Sequence, residues 1–365
     1  DYALDELRLD AMISSHCDAD HYGGLWDLLN PGARDELDCT SVRLEAFFHA
    51  GVSWWKDADT GPQKRWLGPV EGGRLKRLLE GKQSLRDALA PGPGPRLQGE
   101  WGEFLRCVLD SGCRVRRLHS RDAHVPGFGP DDGEGILRVL GPVEAAEGEL
   151  HDLGGDSQNT NGNSVVLRLD YGRTRILLTG DLNAASHRRL LEAYSGRRLE
   201  FACDVAKACH HGSADVSYEF LSTMAPAATV ISSGDSESHA HPRPSIVAAS
   251  ALTGHVRVER DELVTPLVYS TEISRSVRMG RVTRVFVPGA DGAAVEQPEA
   301  QAEYSETRAG DLKPKRGTRR LDRSYIVTGI VYGLVNVRTD GERILCATLN
   351  EKNATWDVQS LTSRF

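Results

Sequence analysis

Twelve histidines are spread along the 365-residue chain, yet six of them fall into three tight groups. These are His16-Cys17-Asp18-Ala19-Asp20-His21, His210-His211-Gly212-Ser213 and His239-Ala240-His241-Pro242. A fourth short motif, Thr179-Gly180-Asp181, places a carboxylate directly behind a glycine. Imidazole nitrogens and carboxylate oxygens are side-chain donors for divalent metals. In the first group, four metal-capable side chains within six residues bring no helical or strand advantage. Its two carboxylates also repel one another unless something positive compensates. Plainer readings exist for the other motifs. Asp181 could cap a helix that follows it, and His239 and His241 could be ordinary loop residues.

Each group follows an apolar stretch with strand character: Ala11–Ser15, Arg175–Leu178, Val205–Ala208 and Thr229–Ser232. In layered α/β proteins the loops at strand C-termini converge on one edge, where ligands bind. Further elements are read from spacing. Residues 1–10 show apolar positions at helical spacing, and Leu25–Leu29 predicts a helix ending at Asn30-Pro31-Gly32. Arg43–Val52 holds a strand, Arg74–Leu89 reads as an amphipathic helix, Trp101–Leu109 as another, and Arg114–Leu118 as a strand. From Ile136 the rhythm is regular. Strands are expected at Ile136–Leu140, Ser164–Leu169 and Arg175–Thr179, and a polar loop at Asp156–Asn163. Helices are expected at Ala184–Tyr194, Ser217–Met224 and Pro244–Leu252. The alternation predicts a layered α/β fold with helices outside the sheets.

Composition narrows the class. Hydrophobic residues make up 39% and charged residues 26%, as in ordinary globular proteins. The net charge of −8 argues against holding nucleic acid by an overall positive field, although a local basic groove is compatible with it. Arg114–Arg117, Arg188-Arg189, Arg197-Arg198 and Lys313–Arg323 are basic stretches that could contact phosphates or simply be solvated charge. Seven cysteines without paired spacing predict reduced thiols and a cytoplasmic setting, with Cys17 and Cys209 as packing residues. Residues 288–322, rich in Gly, Ala, Pro, Glu and Arg, read as a linker or exposed loop. Beyond it, residues 323–365 predict a β-hairpin extension. Its strands would be Ile326–Val337 and Ile344–Leu349, with a turn at Asp340-Gly341 and a further strand at Trp356.

The spacing His16-x-Asp18-x-Asp20-His21-x-Gly23-Gly24 resembles the signature of the metallo-β-lactamase superfamily. Leu178-Thr179-Gly180-Asp181 matches its second acidic motif, and His241 its closing histidine. Three details resemble the hydrolase domain attached to bacterial competence DNA-uptake channels. They are Asp18 where most relatives carry His, Lys207-x-x-His210-His211-Gly212-Ser213, and Asn161-Gly-Asn163-Ser164-Val-Val-Leu. The likeness spans about residues 5–255, with 31–135 matching poorly as an insertion. It implies an αββα sandwich over residues 1–287, in which the family's first strands would precede residue 1.

The resemblance also implies a ligand set for one or two divalent metal ions. His16 and Asp18 would hold one metal, Asp20, His21 and His241 a second, and Asp181 would bridge them. The mixed hard and borderline donors suit Zn²⁺ or Mn²⁺, and Asp18 shifts the expectation toward Mn²⁺. Two ions about 3.5–4 Å apart activate water and clamp both oxygens of an in-line phosphoryl displacement. Asp20, His210 and His211 are the expected catalytic residues. Either histidine would protonate the leaving alkoxide or complete a metal shell. The expected function is a metal-dependent phosphodiesterase acting on nucleic acid, most readily DNA. The alternatives are a small-molecule metallohydrolase with a pocket around Trp54, Trp55 and Trp66, or a metal-stabilised partner-binding module. Because an uncontrolled nuclease is toxic, a regulatory partner or a protease is expected. The basic residues 313–320 would be the cleavage site. The tail resembles accessory segments of bacterial relatives in conflict loci, which implies a defence role.

Overall fold

The computed structural model describes residues 4–37, 39–56, 65–92, 95–97, 99–234, 241–271, 278–290, 292–306, 315–323, 325–328, 333–350 and 353–365. Seven α-helices and a larger number of strands make this a mixed α/β protein among the described residues. The chain divides into two compact units, Asp1–Ala202 with Asp215–Thr223, and Cys203–Ala214 with Met224–Phe365.

The first unit begins differently from its spacing. Leu4–Leu9 is a strand, paired in parallel with Cys39–Leu44, and not a helix. A helix of six residues stands alone poorly in water, whereas a strand partner satisfies the same backbone groups. Met12–Ile13 pairs in parallel with Ala46–His49, which in turn pairs with Arg114–Arg117. The helix Ala19–Leu29 starts earlier than its apolar face implies and takes Asp20 into its first turn. Arg74–Leu89 is also shorter as a helix than expected. Arg74–Leu75 is a strand, and the helix covers Lys82–Leu89, where Ser84 closes the N-terminus by accepting from Gly81 N–H.

The poorly matching stretch 31–135 is well packed. Phe47, Trp54, Trp55, Trp101, Phe104 and Val108 join Tyr22 of the first helix in one apolar core. Stretches read as strands from residue 136 onward form an antiparallel set in this unit. Gly135–Gly141 pairs with Val166–Tyr171, and Val166–Tyr171 with Thr174–Leu178 across a turn in which Gly172 has φ 55°. Asp156–Gly162 is a short helix where a loop was expected. Its start is built by Asn159, whose side chain accepts from Leu153 N–H and donates to Asp152.

In the second unit Val205–Lys207, Ala228–Ile231 and Leu267–Ser270 pair in parallel. Pro244–Thr253 supplies the helix before the last of these, with Pro244 at its first position, where no backbone donor is lost. The stretch 288–322, expected as a linker or exposed loop, contains paired strands. Gln301–Glu306 and Lys315–Arg320 pair as an antiparallel ladder, so the basic run is strand over Lys315–Arg320 and a helical turn over Leu321–Arg323. Residues 313 and 314 of the expected cleavage site lie outside the described residues. The expected strand Ile326–Val337 is two. Tyr325–Thr328 pairs with Arg278–Arg281, while Val335–Thr339, Arg343–Asn350 and Thr355–Thr362 form a three-stranded meander. The chain end is anchored by buried Asp204, which accepts from Ser363 Oγ at 2.9 Å and Arg364 N–H at 3.0 Å.

Two buried histidines of the first unit tie structure to pH. His49 accepts Gly51 N–H at its Nδ1, and His187 accepts Ser217 N–H while stacking on Phe220 at 4.2 Å. Burial, joined for His49 by the Arg117 charge, pulls each from 6.5 down to about 3. Folded-state values below the unfolded one mean that this stability is present above pH 6.5. It is lost as pH falls toward 3, because the unfolded chain gains protons that the folded chain refuses. Each histidine contributes a slope of up to about 1.4 kcal/mol per pH unit in that window. Urea unfolding of a His187→Gln variant between pH 6.5 and 5 is therefore expected to be less pH-dependent than that of the parent chain. Equal slopes would show that His187 titrates normally.

Candidate metal centre

The first unit brings together side chains from two distant stretches. Asp20 and His21 come from the first turn of Ala19–Leu29, and Asp181 from the loop after Thr174–Leu178. Their potential ligand atoms all lie within 4.8 Å of one another. His21 Nε2 stands 3.2 Å from Asp181 Oδ2 and 3.5 Å from Asp20 Oδ2. Asp181 is buried while Asp20 is exposed, so the group has a closed floor and an open lip. A buried carboxylate is costly unless a cation or donors compensate it, and this trio of imidazole and carboxylates is a donor set that could hold a metal ion.

Asp181 does not cap the next helix. That role belongs to Asn183, whose side chain accepts from Ser186 N–H at 3.1 Å and whose own N–H donates to Ser186 Oγ at 2.9 Å. Asp18 likewise makes no side-chain cap, although it stands at the helix N-cap. Its Oδ1 accepts the indole N–H of Trp54 at 3.0 Å, and its Oδ2 lies 3.8 Å from His16 Nε2. Trp54 was expected only as a wall of an alternative small-molecule pocket, because a pairing across the fold carries no local pattern. Trp54 and Trp55 are both buried in the apolar core, and Trp66 is half-buried against it. Cys17 is buried in the same core, and Cys209 is buried in the second unit.

His16 is buried, and its ring lies 4.0 Å from that of His21, tilted by 44°. Ser15 Oγ sits between the two rings, 3.1 Å from His16 Nδ1 and 3.0 Å from His21 Nδ1. Ser164 Oγ approaches His16 Nδ1 from another side at 3.3 Å. Ser164 belongs to the quoted run Asn161-Gly-Asn163-Ser164, but neither serine was among the expected site residues.

In the second unit His210 and His211 occupy the turn Cys209–Gly212, directly after Val205–Lys207. Both have left-handed backbone, with φ 44° and 52°, which costs an L-residue roughly 1–2 kcal/mol each. Consecutive strain of this kind clusters at functional sites. His211 Nδ1 lies 2.8 Å from Ser232 O. A carbonyl only accepts, so Nδ1 carries the proton and Nε2 holds the lone pair that a metal ligand or a base requires. The His210 ring stands 5.3 Å from that of His241. His239 lies outside the described residues.

The basic stretches divide. Arg117 is buried and pairs with Glu80 and Glu144, and Arg116 pairs with Asp122, so these two are engaged within the protein. Arg198 pairs with Glu219, and Arg197 lies over the Tyr194 ring. Arg188 and Arg189 are exposed on the helix Ala184–Ala193, where Arg189 pairs with Glu192 at 3.2 Å. Among the described residues no helix is long and apolar enough to cross a membrane.

Fold and site together define a mixed α/β protein with a His/Asp cluster able to hold a metal ion. No family model matches the chain, and no curated protein matches it.

The strained turn has a measurable signature. At a left-handed position glycine is favoured over alanine, the reverse of their order inside a helix. His210→Gly is therefore expected to be more stable to urea than His210→Ala by about 1 kcal/mol. An alanine variant at least as stable as the glycine variant would show that residue 210 is not held left-handed.

Proposed function

We propose that the chain is a metal-dependent phosphodiesterase acting on nucleic acid, most readily DNA, on an αββα sandwich of the metallo-β-lactamase type. The observation that carries this reading is the convergence of Asp20, His21 and Asp181 on one buried-to-open cluster. It is supported by the donor chemistry and by the motif resemblance. In this reading His16, Asp18, Asp20, His21 and Asp181 would hold one or two divalent ions. The resemblance adds His241 to the set. Mn²⁺ or Zn²⁺ would suit these donors, and would supply Lewis acidity toward a phosphoryl oxygen.

The residues of the chain do the rest. Trp54 holds Asp18 by its indole N–H, which orients the carboxylate without neutralising it. The Ser232 carbonyl holds His211 with its Nε2 lone pair presented, which suits a ligand or a base more than a proton donor. His210 is then the better of the pair for protonating a leaving alkoxide. Exposed Arg188 and Arg189 are suited to backbone phosphates, which would make binding strongly salt-dependent.

The test uses the full chain, stripped by chelator and incubated with supercoiled plasmid plus Mn²⁺, Zn²⁺ or Mg²⁺. Nicking is expected, highest with Mn²⁺, and suppressed by salt. Asp20→Asn and Asp181→Asn should each reduce the rate by about a hundredfold and lower bound metal below that of the parent chain. Asp18→His should shift the preference toward Zn²⁺. If both Asn variants keep full metal and full turnover, the assignment is wrong.

A further inference from the structure

Ser164 makes three contacts that together exhaust its hydroxyl. Its Oγ donates to Asn161 O at 2.7 Å and accepts Asp181 N–H at 3.1 Å. The third contact is His16 Nδ1 at 3.3 Å. A serine hydroxyl has one proton and two lone pairs. The carbonyl of Asn161 can only accept, so the single proton is spent there. The backbone N–H of Asp181 can only donate, so it takes one lone pair. What remains toward His16 is one lone pair, and a lone pair is satisfied only by a donor. An unprotonated Nδ1 would set two lone pairs against each other in a buried place.

We propose that Ser164 is a positioning residue that fixes His16 in the Nδ1–H tautomer and so presents its Nε2 lone pair, on the side of Asp18, to a metal. This rests on the reading of His16 as a ligand. The same oxygen holds the backbone of Asp181, so one hydroxyl sets a ligand from each of two distant motifs.

Ser15 differs in kind. Its Oγ lies between two imidazole nitrogens, each able to donate or accept, so its proton is not committed by a carbonyl at either contact. With the one Nδ1–H of His16 shared between Ser164 Oγ and Ser15 Oγ, Ser15 can turn its own proton toward His21 or accept from His21 as well. His16 is therefore preset, and His21 is adjustable.

Gly180 makes this arrangement possible. It has φ +54°, and a Cβ there would stand 2.8 Å from Ser164 Oγ and 2.6 Å from Ser164 Cβ. Any side chain at 180 would displace the hydroxyl that reads His16.

The experiment is a long-range proton–nitrogen correlation spectrum of the imidazole rings in the full chain near pH 8, with His16 assigned by its loss in a His16→Gln variant. The metal-free parent chain is expected to show His16 protonated at Nδ1, and Zn²⁺ should leave that tautomer unchanged. Ser164→Ala removes the acceptor, and Ser164→Cys keeps its shape with a poor one. Both are expected to shift His16 toward the Nε2–H form and to weaken Zn²⁺ binding by about 10- to 100-fold. A purely structural serine would not change the tautomer in the shape-conserving Cys variant. A metal-free parent chain with His16 protonated at Nε2 would overturn the proposal without any variant. So would a Cys variant that keeps the Nδ1–H form. A parent chain that shows the Nδ1–H tautomer but takes up no Zn²⁺ or Mn²⁺ would instead sink the metal-centre reading and leave the assignment of the Ser164 hydrogen bonds standing.

Discussion

Two stretches of backbone can approach Ser164 closely because Gly180 carries no side chain. A Cβ at that position would press on Ser164 and come within 3.2 Å of Ser15 Cβ. The two serines belong to neighbouring segments already joined by Val165 N–H donating to Ser15 O at 2.9 Å. The loop that carries Asp181 closes over this junction with its N–H on Ser164 Oγ. The cluster of Asp20, His21 and Asp181 depends on that closure, since Asp181 reaches His21 only when its own backbone is held down. A left-handed residue and a close approach are demanded at the same position, and glycine alone meets both without strain.

Around this junction the polar groups are divided by task. Asn183 takes the helix cap, which leaves the Asp181 carboxylate available to the cluster. Trp54 reaches from the apolar core to Asp18, so the core and the site share a side chain. Buried histidines away from the cluster, His49 and His187, are kept neutral by burial and serve as hydrogen-bond acceptors for backbone N–H groups. The same residue type thus does structural work in one place and offers metal-binding nitrogens in another. Burial and the fixed partner of each ring decide which.

The second unit shows a different economy. Its parallel strands deliver the turn with His210 and His211, and Gly212 within that turn meets Pro242, which would stand 2.7 Å from a Cβ there. Close packing at Gly212 brings the segment after His241 against the strained turn. Its last strands are held by Asp204, whose two carboxylate oxygens take up Ser363 and the Arg364 backbone. Arg364 adds bonds to Cys203 O and Met224 O. A buried carboxylate with committed donors is costly to disturb, so this anchor is stronger than the meander's exposed faces would imply.

By itself the sequence determined where metal-capable side chains gather and that these groups follow strands. It also determined the regular elements whose periodicity is local, such as the hairpin turning at Gly172 and the helix Ala184–Ala193. Those signals lie within a few residues, where side-chain period and turn chemistry speak directly. The tertiary structure decided what periodicity cannot express. Leu4–Leu9 became a strand because a distant partner satisfied its backbone. Residues 301–306 and 315–320 paired with each other although their composition is that of a loop, because a ladder needs backbone partners more than apolar side chains. Trp54 on Asp18, Ser232 on His211 and Ser164 on His16 join residues far apart in the chain. A hydrogen bond between such positions leaves no mark on the spacing of either, so the metal-capable residues were legible in the sequence while these pairings were not.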